Sequence, residues 1–417
     1  MKNKLDDVKN KLDDVKEYSQ KIVLQAIVSA GPISRASLSK QTGLSKQTIS
    51  EVVRKLESKN WVKVSGQTKG KIGRTAITYE LNSLSSGVVV IDLGGTKVHI
   101  AVTDLFGQII CEKTEFTHKN GGLDLVKQIV RIVKSLISRS KIKKTLIQVV
   151  SIGVPGVPDE LSGSIKKCPN IKGLDKINFK GLIEEKLNIK VLLDNDVNLA
   201  ALGEHLHLWK NSNEIVSDNL VFIAIGTGIG SGVIVNGDLV RGFKGAAGEL
   251  AYLPIGSEIN NRETKTIGAL ERATATKFIK KRYNELTRKN KTVIEIFNLA
   301  EKRDPVSIKI IDEIAYNLAK VVSVFSSILD TEKIVFGGSI GVQKILVDKI
   351  KFFSKKIISN PPSISISQLG TSATLVGAIQ LALEENTKSF FSNNSISQFN
   401  IKPKVLSFRK NLKVVNQ

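Results

Sequence analysis

The chain has 417 residues, too many for one ordinary hydrophobic core, so two or three domains are expected. With 41% hydrophobic and 24% charged residues it reads as a soluble globular protein. It has no apolar run near the roughly 18 residues of a membrane span, and the expectation is a cytoplasmic protein without a secretory leader or membrane contact. Two cysteines, Cys111 and Cys168, and four histidines exclude a disulfide framework or thiolate metal cluster, while a net charge of +23 points to a polyanion partner.

Residues 1–18 open with a repeated heptad, Lys-Asn-Lys-Leu-Asp-Asp-Val at 2–8 and 9–15. Leu5, Val8, Leu12 and Val15 recur at helical spacing and predict a short amphipathic helix, too brief for a coiled coil. Residues 19–82 then read as three helices and a two-stranded ribbon. Ile22, Val23, Ala26 and Ile27 share one face, Gly31-Pro32 breaks the run, and Ile33 to Thr42 forms a second helix. Gly43 turns the chain. Ser45 caps a third helix whose Ile49, Val52, Val53 and Leu56 must be buried. That leaves Lys46, Gln47, Ser50, Glu51 and Arg54 facing outward, where side chains of this kind reach base edges in a major groove.

Val62 to Val64 and the alternation Ile77, Tyr79, Leu81 flank a Gly- and Lys-rich loop, Gly66 to Arg74. Lys69 and Lys71 suit phosphate contact there, and Arg74 suits a minor groove. Residues 35–74 hold ten basic side chains against two acidic ones. The expectation is a winged helix-turn-helix that binds double-stranded DNA; the alternative is a small protein-binding helical domain with a solvated loop.

Residues 83–385 read as an α/β unit. A buried strand, Val88 to Ile91, runs into Asp92-Leu93-Gly94-Gly95-Thr96-Lys97; the Gly turn can bring backbone N–H groups to phosphates, and Asp92 can hold a metal ion or its water. After the helix Leu123–Ser138 and the strand Leu146–Gly153 come Pro169-Asn170-Ile171-Lys172-Gly173. The run Val191–Leu193 ends in Asp194, Asn195, Asp196 and Asn198, a strand passing into a helix start. Asn195 or Asp196 caps that helix, or Asp196 serves as a general base in a cleft; the residues alone permit both. A further strand, Val221–Ile225, meets Gly226-Thr227-Gly228-Ile229-Gly230, and Ile334–Phe336 meets Gly337-Gly338. Three strand-to-Gly turns around one Asn-Asp helix start imply a duplicated, two-lobed nucleotide-binding architecture. Residues 386–417 read as a mobile tail carrying six basic residues and no acidic one.

On these motifs the chain resembles the ROK family of repressors and sugar kinases, within the actin-like ATPases, and the winged helix resembles the repressor branch. The resemblance implies that Asp92, Gly94, Gly95, Thr96 and Lys97 form one phosphate motif, that Gly226, Thr227, Gly228 and Gly230 form the second, and that Gly337 and Gly338 lie by adenosine. It implies Asp196 as catalytic base and Asn170, Asn195, Asp196, Glu249 and Glu271 as sugar contacts. The family's Glu-x-Gly-His pattern stands here as Glu249-Leu250-Ala251-Tyr252, so Tyr252 replaces a sugar- and zinc-binding histidine. The segment between Tyr252 and Glu271 has no cysteine, so no zinc is expected. Two functions follow: a regulator, expected to be a repressor, that answers to a small sugar or sugar phosphate and acts as a homodimer or tetramer on an operator, or an ATP- and Mg²⁺-dependent sugar kinase of the glucokinase or N-acyl-hexosamine kinase type, with or without DNA binding.

Overall fold

The computed structural model describes residues 18–67, 75–211, 218–256 and 260–392. The repeated heptads, the loop residues Lys69, Lys71 and Arg74, and the chain beyond 392 lie outside the described residues. The N-terminal unit comprises α1 (18–30), β1 (Ile33–Ser34), α2 (Arg35–Thr42), α3 (Lys46–Ser58), β2 (Val62–Gln67) and β3 (Ile77–Leu81). Gly43 ends α2 at φ +74°, a left-handed turn that glycine adopts freely. Ser45 Oγ accepts the Thr48 amide at 3.1 Å and starts α3, whose Ile49, Val52, Val53 and Leu56 pack against Val23, Leu24, Ala26, Ile27 and Leu38.

The second helix is shorter than expected. Ser34 Oγ accepts the Ser37 amide at 3.1 Å, so Ser34 is the cap and the helix begins at Arg35. Ile33 and Ser34 instead pair antiparallel with Tyr79 and Thr78. The ribbon is therefore a three-stranded sheet in the order β1-β3-β2. Pairing with β3 gives the Ile33 backbone its partners while its side chain enters the core.

The rest of the chain forms two lobes on a repeated plan. The first has β4 (Gly87–Leu93), β5 (Lys97–Asp104), β6 (Ile109–Phe116), α4 (Gly122–Arg139), β7 (Ile147–Val154), the hairpin β8 (Val157–Pro158) and β9 (Ile165–Lys166), α5 (Phe179–Leu187) and β10 (Lys190–Asn195). Then α6 (Asp196–Asn211) leads into the second lobe. It contains β11 (Leu220–Ile225), β12 (Ile229–Val235), β13 (Asp238–Leu239), α7 (Arg262–Ile267), α8 (Ala269–Thr274), α9 (Thr276–Thr287), α10 (Val293–Glu301), α11 (Pro305–Leu329), β14 (Lys333–Gly337), α12 (Gly338–Gly341), α13 (Lys344–Ile357) and β15 (Ser363–Ile366). The sheet orders are β10-β7-β4-β5-β6 and β13-β12-β11-β14-β15. Each sheet combines antiparallel hairpin strands with parallel crossover strands, and runs such as Val88–Ile91 are apolar throughout because both faces are covered.

The closing helix, α14 (Ala373–Ser392), returns to the first lobe and packs across Val88, Val90 and Val149 and beside Leu199 of α6. The two helices touch at backbone distance: a Cβ added at Gly377 would lie 1.8 Å from the Leu199 carbonyl oxygen, and one at Gly203 2.3 Å from that of Ala373. The helix runs seven residues past the expected domain end at 385, and Asn386 and Thr387 are buried rather than part of a mobile tail. Their polar side chains hide the boundary, since composition cannot tell a solvated Asn from one that is buried and bonded.

The winged unit is docked rather than tethered. Leu105, 1% exposed at the β5–β6 turn, and Phe106 beside it pack into the core of α1–α3 and β1–β3. The Leu105 amide donates to the Ser83 carbonyl at 3.0 Å, and the Asn82 side chain donates to the Asn60 carbonyl at 3.0 Å. Among the described residues no helix is long and apolar enough to cross a membrane.

Candidate functional site

The strand register builds the site. Asp92 on β4, Gly153 on β7 and Asp194 on β10 stand side by side at the ends of the parallel strands. The first turn of α6 crosses directly above. A Cβ at Gly153 would lie 2.8 Å from Thr374 Cγ2 and 3.0 Å from Leu199 Cδ1, so glycine lets these side chains pack closely under the helix start. The helix start is capped by Asn195, whose Oδ1 accepts the amides of Val197 at 2.9 Å and Asn198 at 3.2 Å, while its Nδ2 donates to the Gly156 carbonyl at 3.1 Å. Asn195 takes the capping role, and Asp196 keeps one carboxylate oxygen beyond its 2.9 Å bond to the Val197 amide.

A cleft of about 810 Å³ opens over this point between the lobes. From the expected site residues it brings together Gly94, Gly95, Asn170, Asn195, Asp196, Gly226, Thr227, Gly228, Gly230, Glu249, Tyr252, Glu271 and Gly338. Thr96 and Lys97 are exposed outside its lining, with the Lys97 ammonium 5.8 Å from the Phe116 ring centre. Gly337 is buried, and a Cβ there would lie 2.3 Å from Phe222 Cζ, so its need for glycine is packing. The Gly94 amide closes its own turn on the Lys97 carbonyl and the Gly226 amide on the Gly228 carbonyl, both at 2.9 Å. Two glycines leave room in the cleft: a Cβ at Gly95 would sit 2.9 Å from Asn170 Cβ, and one at Gly228 2.7 Å from Glu271 Oε2. Gly338 has φ +76°, which a side chain would strain.

The cleft is acidic and partly dry. Burial, reinforced by the charges of Asp92 and Glu249, pushes the Asp196 carboxyl up to about 7. Burial pushes Asp92 up to about 6, with His99 pulling the other way. Glu271 is raised by burial although its Oε2 accepts the Ile229 amide at 3.2 Å. Asp196 is thus poised near neutrality, able to accept a hydroxyl proton.

Four residues around the site carry no functional mark in the sequence: Asp194, Arg241, Lys167 and Thr374. Asp194 accepts from the Asn195 amide at 2.8 Å, from Asn198 Nδ2 at 3.0 Å and from Arg241 Nε at 2.9 Å, so a buried carboxylate ties the first lobe to the loop before Glu249. Lys167, in a left-handed conformation at φ +52°, lies with its ammonium 3.8 Å from Glu249 Oε2 and 4.9 Å from the Tyr252 ring centre. Thr374 reaches the site from α14. Its signal, like that of Arg241, is a contact between distant residues with no local motif.

The donor set does not fit a tetrahedral zinc. The described residues hold no group of three or more His, Cys, Asp or Glu side chains able to share an ion, and Tyr252 Oη is engaged with the Thr266 carbonyl at 3.4 Å. In the winged unit, Lys46, Gln47, Glu51 and Arg54 are exposed on α3, with Gln47 Nε2 donating to Glu51 Oε1 at 3.2 Å. Ser50 is half-buried and its hydroxyl donates to the Lys46 carbonyl at 2.9 Å.

Comparison with known proteins follows the same division. The ROK family model matches residues 88–385 and the MarR family model residues 17–71. The xylose repressor of Caldicellulosiruptor bescii is 32% identical over 260 residues, which are 61% of this chain and 63% of that repressor. The ROK hexokinase of Thermus thermophilus superposes with a TM-score of 0.63 at 25% identity, covering 72% of this chain and 99% of the hexokinase. A ROK family transcriptional regulator homologous to the MLC protein of Escherichia coli gives 0.68 at 22% identity over 89% of this chain and 97% of its own, a likeness of fold.

Proposed function

The chain belongs to the ROK family, and from its winged helix docked on a ROK domain we propose that it is a sugar-responsive transcriptional repressor. The observation that carries this reading is the shared core at Leu105, which makes the DNA-reading helix a fixed extension of the ligand-binding lobe. The effector is a small sugar, with xylose the first to test because a xylose repressor is 32% identical to this chain over 260 residues. It binds in the cleft with its hydroxyls against Asn170, Asp196, Glu249 and Glu271, whose carboxylates and amide are the groups that pair with a polyol. Operators read by paired helices have two-fold symmetry, so a homodimer is the working assembly.

Effector binding favours one lobe arrangement, and α14 carries the difference to the winged unit. The N-terminal end of α14 meets the cleft at Asp196, and its far part touches Gly107, Ser86 and the hairpin that bears Leu105. The test is operator DNA titrated with protein, with and without a panel of aldoses. A protein that binds an operator specifically but answers to no sugar would reject the effector half of this reading.

A second reading is supported by the near-neutral Asp196: transfer of the ATP terminal phosphate to a sugar hydroxyl. Asp92 would hold Mg²⁺, the turns at Gly94–Gly95 and Gly226–Gly228 would take the phosphates, and Asp196 would accept the hydroxyl proton. The glycine cradle fits such a group. A coupled ADP-release assay with each sugar separates the readings.

A further inference from the structure

The end of the first-lobe sheet that bears the winged unit also bears a cluster of unneutralised lysines. Strand register places Gly87, Asp104 and Ile147 together at this end, opposite the cleft. The loop between α4 and β7 is fastened beside the domain seam. Ser86 Oγ donates to the Leu146 carbonyl at 3.0 Å, and a Cβ at Gly87 would meet Ile142 Cδ1 at 2.6 Å. Lys134, Lys141, Lys143 and Lys144 rim a hollow of about 470 Å³ floored by Ile137, Ile142 and Leu187.

A run of surface lysines is most often only solvated, so the pairing pattern matters. Some lysines sit against carboxylates, such as Lys190 on Glu385 and Lys349 on Asp312, both at 2.5 Å. Residues 132–158, however, hold five basic side chains and no acidic one, so no neighbour along the chain can neutralise this cluster. Lys134, Lys141, Lys143 and Lys144 are all exposed, and among the described residues none has a carboxylate within 4.0 Å. Lys141, at φ +63°, makes the left-handed turn by which the chain leaves α4.

We infer that this lysine-rimmed hollow is a second contact for duplex DNA, gripping the sugar-phosphate backbone that flanks the operator. The inference rests on the proposed DNA-binding reading. The apolar floor supports the lysine stems while their ammonium groups reach outward. Flexible point charges suit a phosphate chain and carry no base preference, which is the division of labour expected beside a recognition helix. The hollow and the winged unit occupy one end of the same sheet, which places both charged surfaces beside the domain seam.

The experiment compares full-length wild type with K141A/K143A/K144A on a minimal operator duplex and on one with long flanks, over a salt series. On the long duplex the variant's plot of log affinity against log salt should flatten by about 0.9 for each phosphate that is no longer neutralised, up to about 2.7. On the minimal duplex the two proteins should agree, and a K141R/K143R/K144R variant should keep the wild-type slope. An unchanged slope in the alanine variant, with wild type binding its operator specifically, overturns the inference alone. Wild type without specific duplex binding overturns both this and the repressor reading. Should the alanine variant lose only co-sedimentation with anionic vesicles, the surface serves a membrane and the inference falls.

Discussion

The hydroxyl of Thr374 donates to the backbone carbonyl of Asp196 across 3.1 Å, joining the first turn of α14 to the first turn of α6. At the other end Asn386 Nδ2 donates to Ser86 Oγ at 3.0 Å, fully buried at the seam with the winged unit. Twelve residues of helix separate the two bonds, about 18 Å at 1.5 Å per residue.

Asn386→Ala should therefore weaken communication more than binding. It leaves a buried Ser86 with fewer partners and costs about 1–3 kcal/mol of stability. Operator affinity without sugar and sugar affinity by calorimetry should stay within a few-fold of wild type. The sugar-induced change in operator affinity, of the order of 5–150-fold for coupled sites, should shrink towards none. A variant that keeps its full sugar response would remove α14 from the route.

Gly377→Ala tests the same crossing from its middle. Its methyl would be driven into the Leu199 carbonyl, so the helices must separate. A loss of about 3 kcal/mol or more is expected, read as a large fall in Tm.

Protonation of Asp196 gives a pH signature. Its folded pKa, about 7, lies above the ordinary carboxylate value, so the folded state binds its proton more tightly than the unfolded chain. Its contribution to stability is therefore greatest below the unfolded value near 4, falls as pH rises towards 7, and stays low above that. Asp92, raised to about 6, acts in the same direction. Asp196→Asn should flatten this fall and gain about 1–3 kcal/mol relative to wild type at pH 8, since Asn is also an adequate first-turn residue. Denaturant melts of both proteins at pH 5 and pH 8 measure the difference; equal slopes would place Asp196 in an ordinary aqueous setting.

On DNA, Gln47→Ala and Arg54→Ala should each cost about 1–3 kcal/mol at the cognate operator and blur base preference. Ser45→Ala should cost about 0.5–2 kcal/mol in stability by uncapping α3. Competition against scrambled duplex separates the first effect, and a thermal melt the second.

Treatment with a strong chelator should leave Tm and sugar response unchanged, because Tyr252 and the segment following it supply neither thiolate nor imidazole. Stoichiometric zinc surviving gel filtration would contradict this.

What can be read from the sequence is what neighbours in the chain decide. Ser45, Gly43 and the spacing Ile49, Val52, Val53, Leu56 announce α3 because caps and helical periodicity are local. The glycine turns and the Asn195–Asp196 helix start are visible for the same reason. Ile33–Ser34 passes for helix because a two-residue strand has no period and depends on Tyr79. Arg241 lies 47 residues from Asp194, and Asn386 lies 300 from Ser86; no local pattern connects such pairs. Gly337 has the look of a ligand glycine, yet it serves the ring of Phe222 across the sheet.

Leu105 has one more consequence. A reading head that shares its hydrophobic centre with the body cannot swing on a string, so two copies of this chain would hold their recognition helices like the points of a pair of callipers. The gap between the points is then set wherever the two bodies meet. A slight change of tilt in the bodies would be magnified at the tips, which must fall one helical turn of DNA apart to fit. Grafting this head onto a different body would require the β5–β6 hairpin to travel with it, Leu105 and Phe106 included.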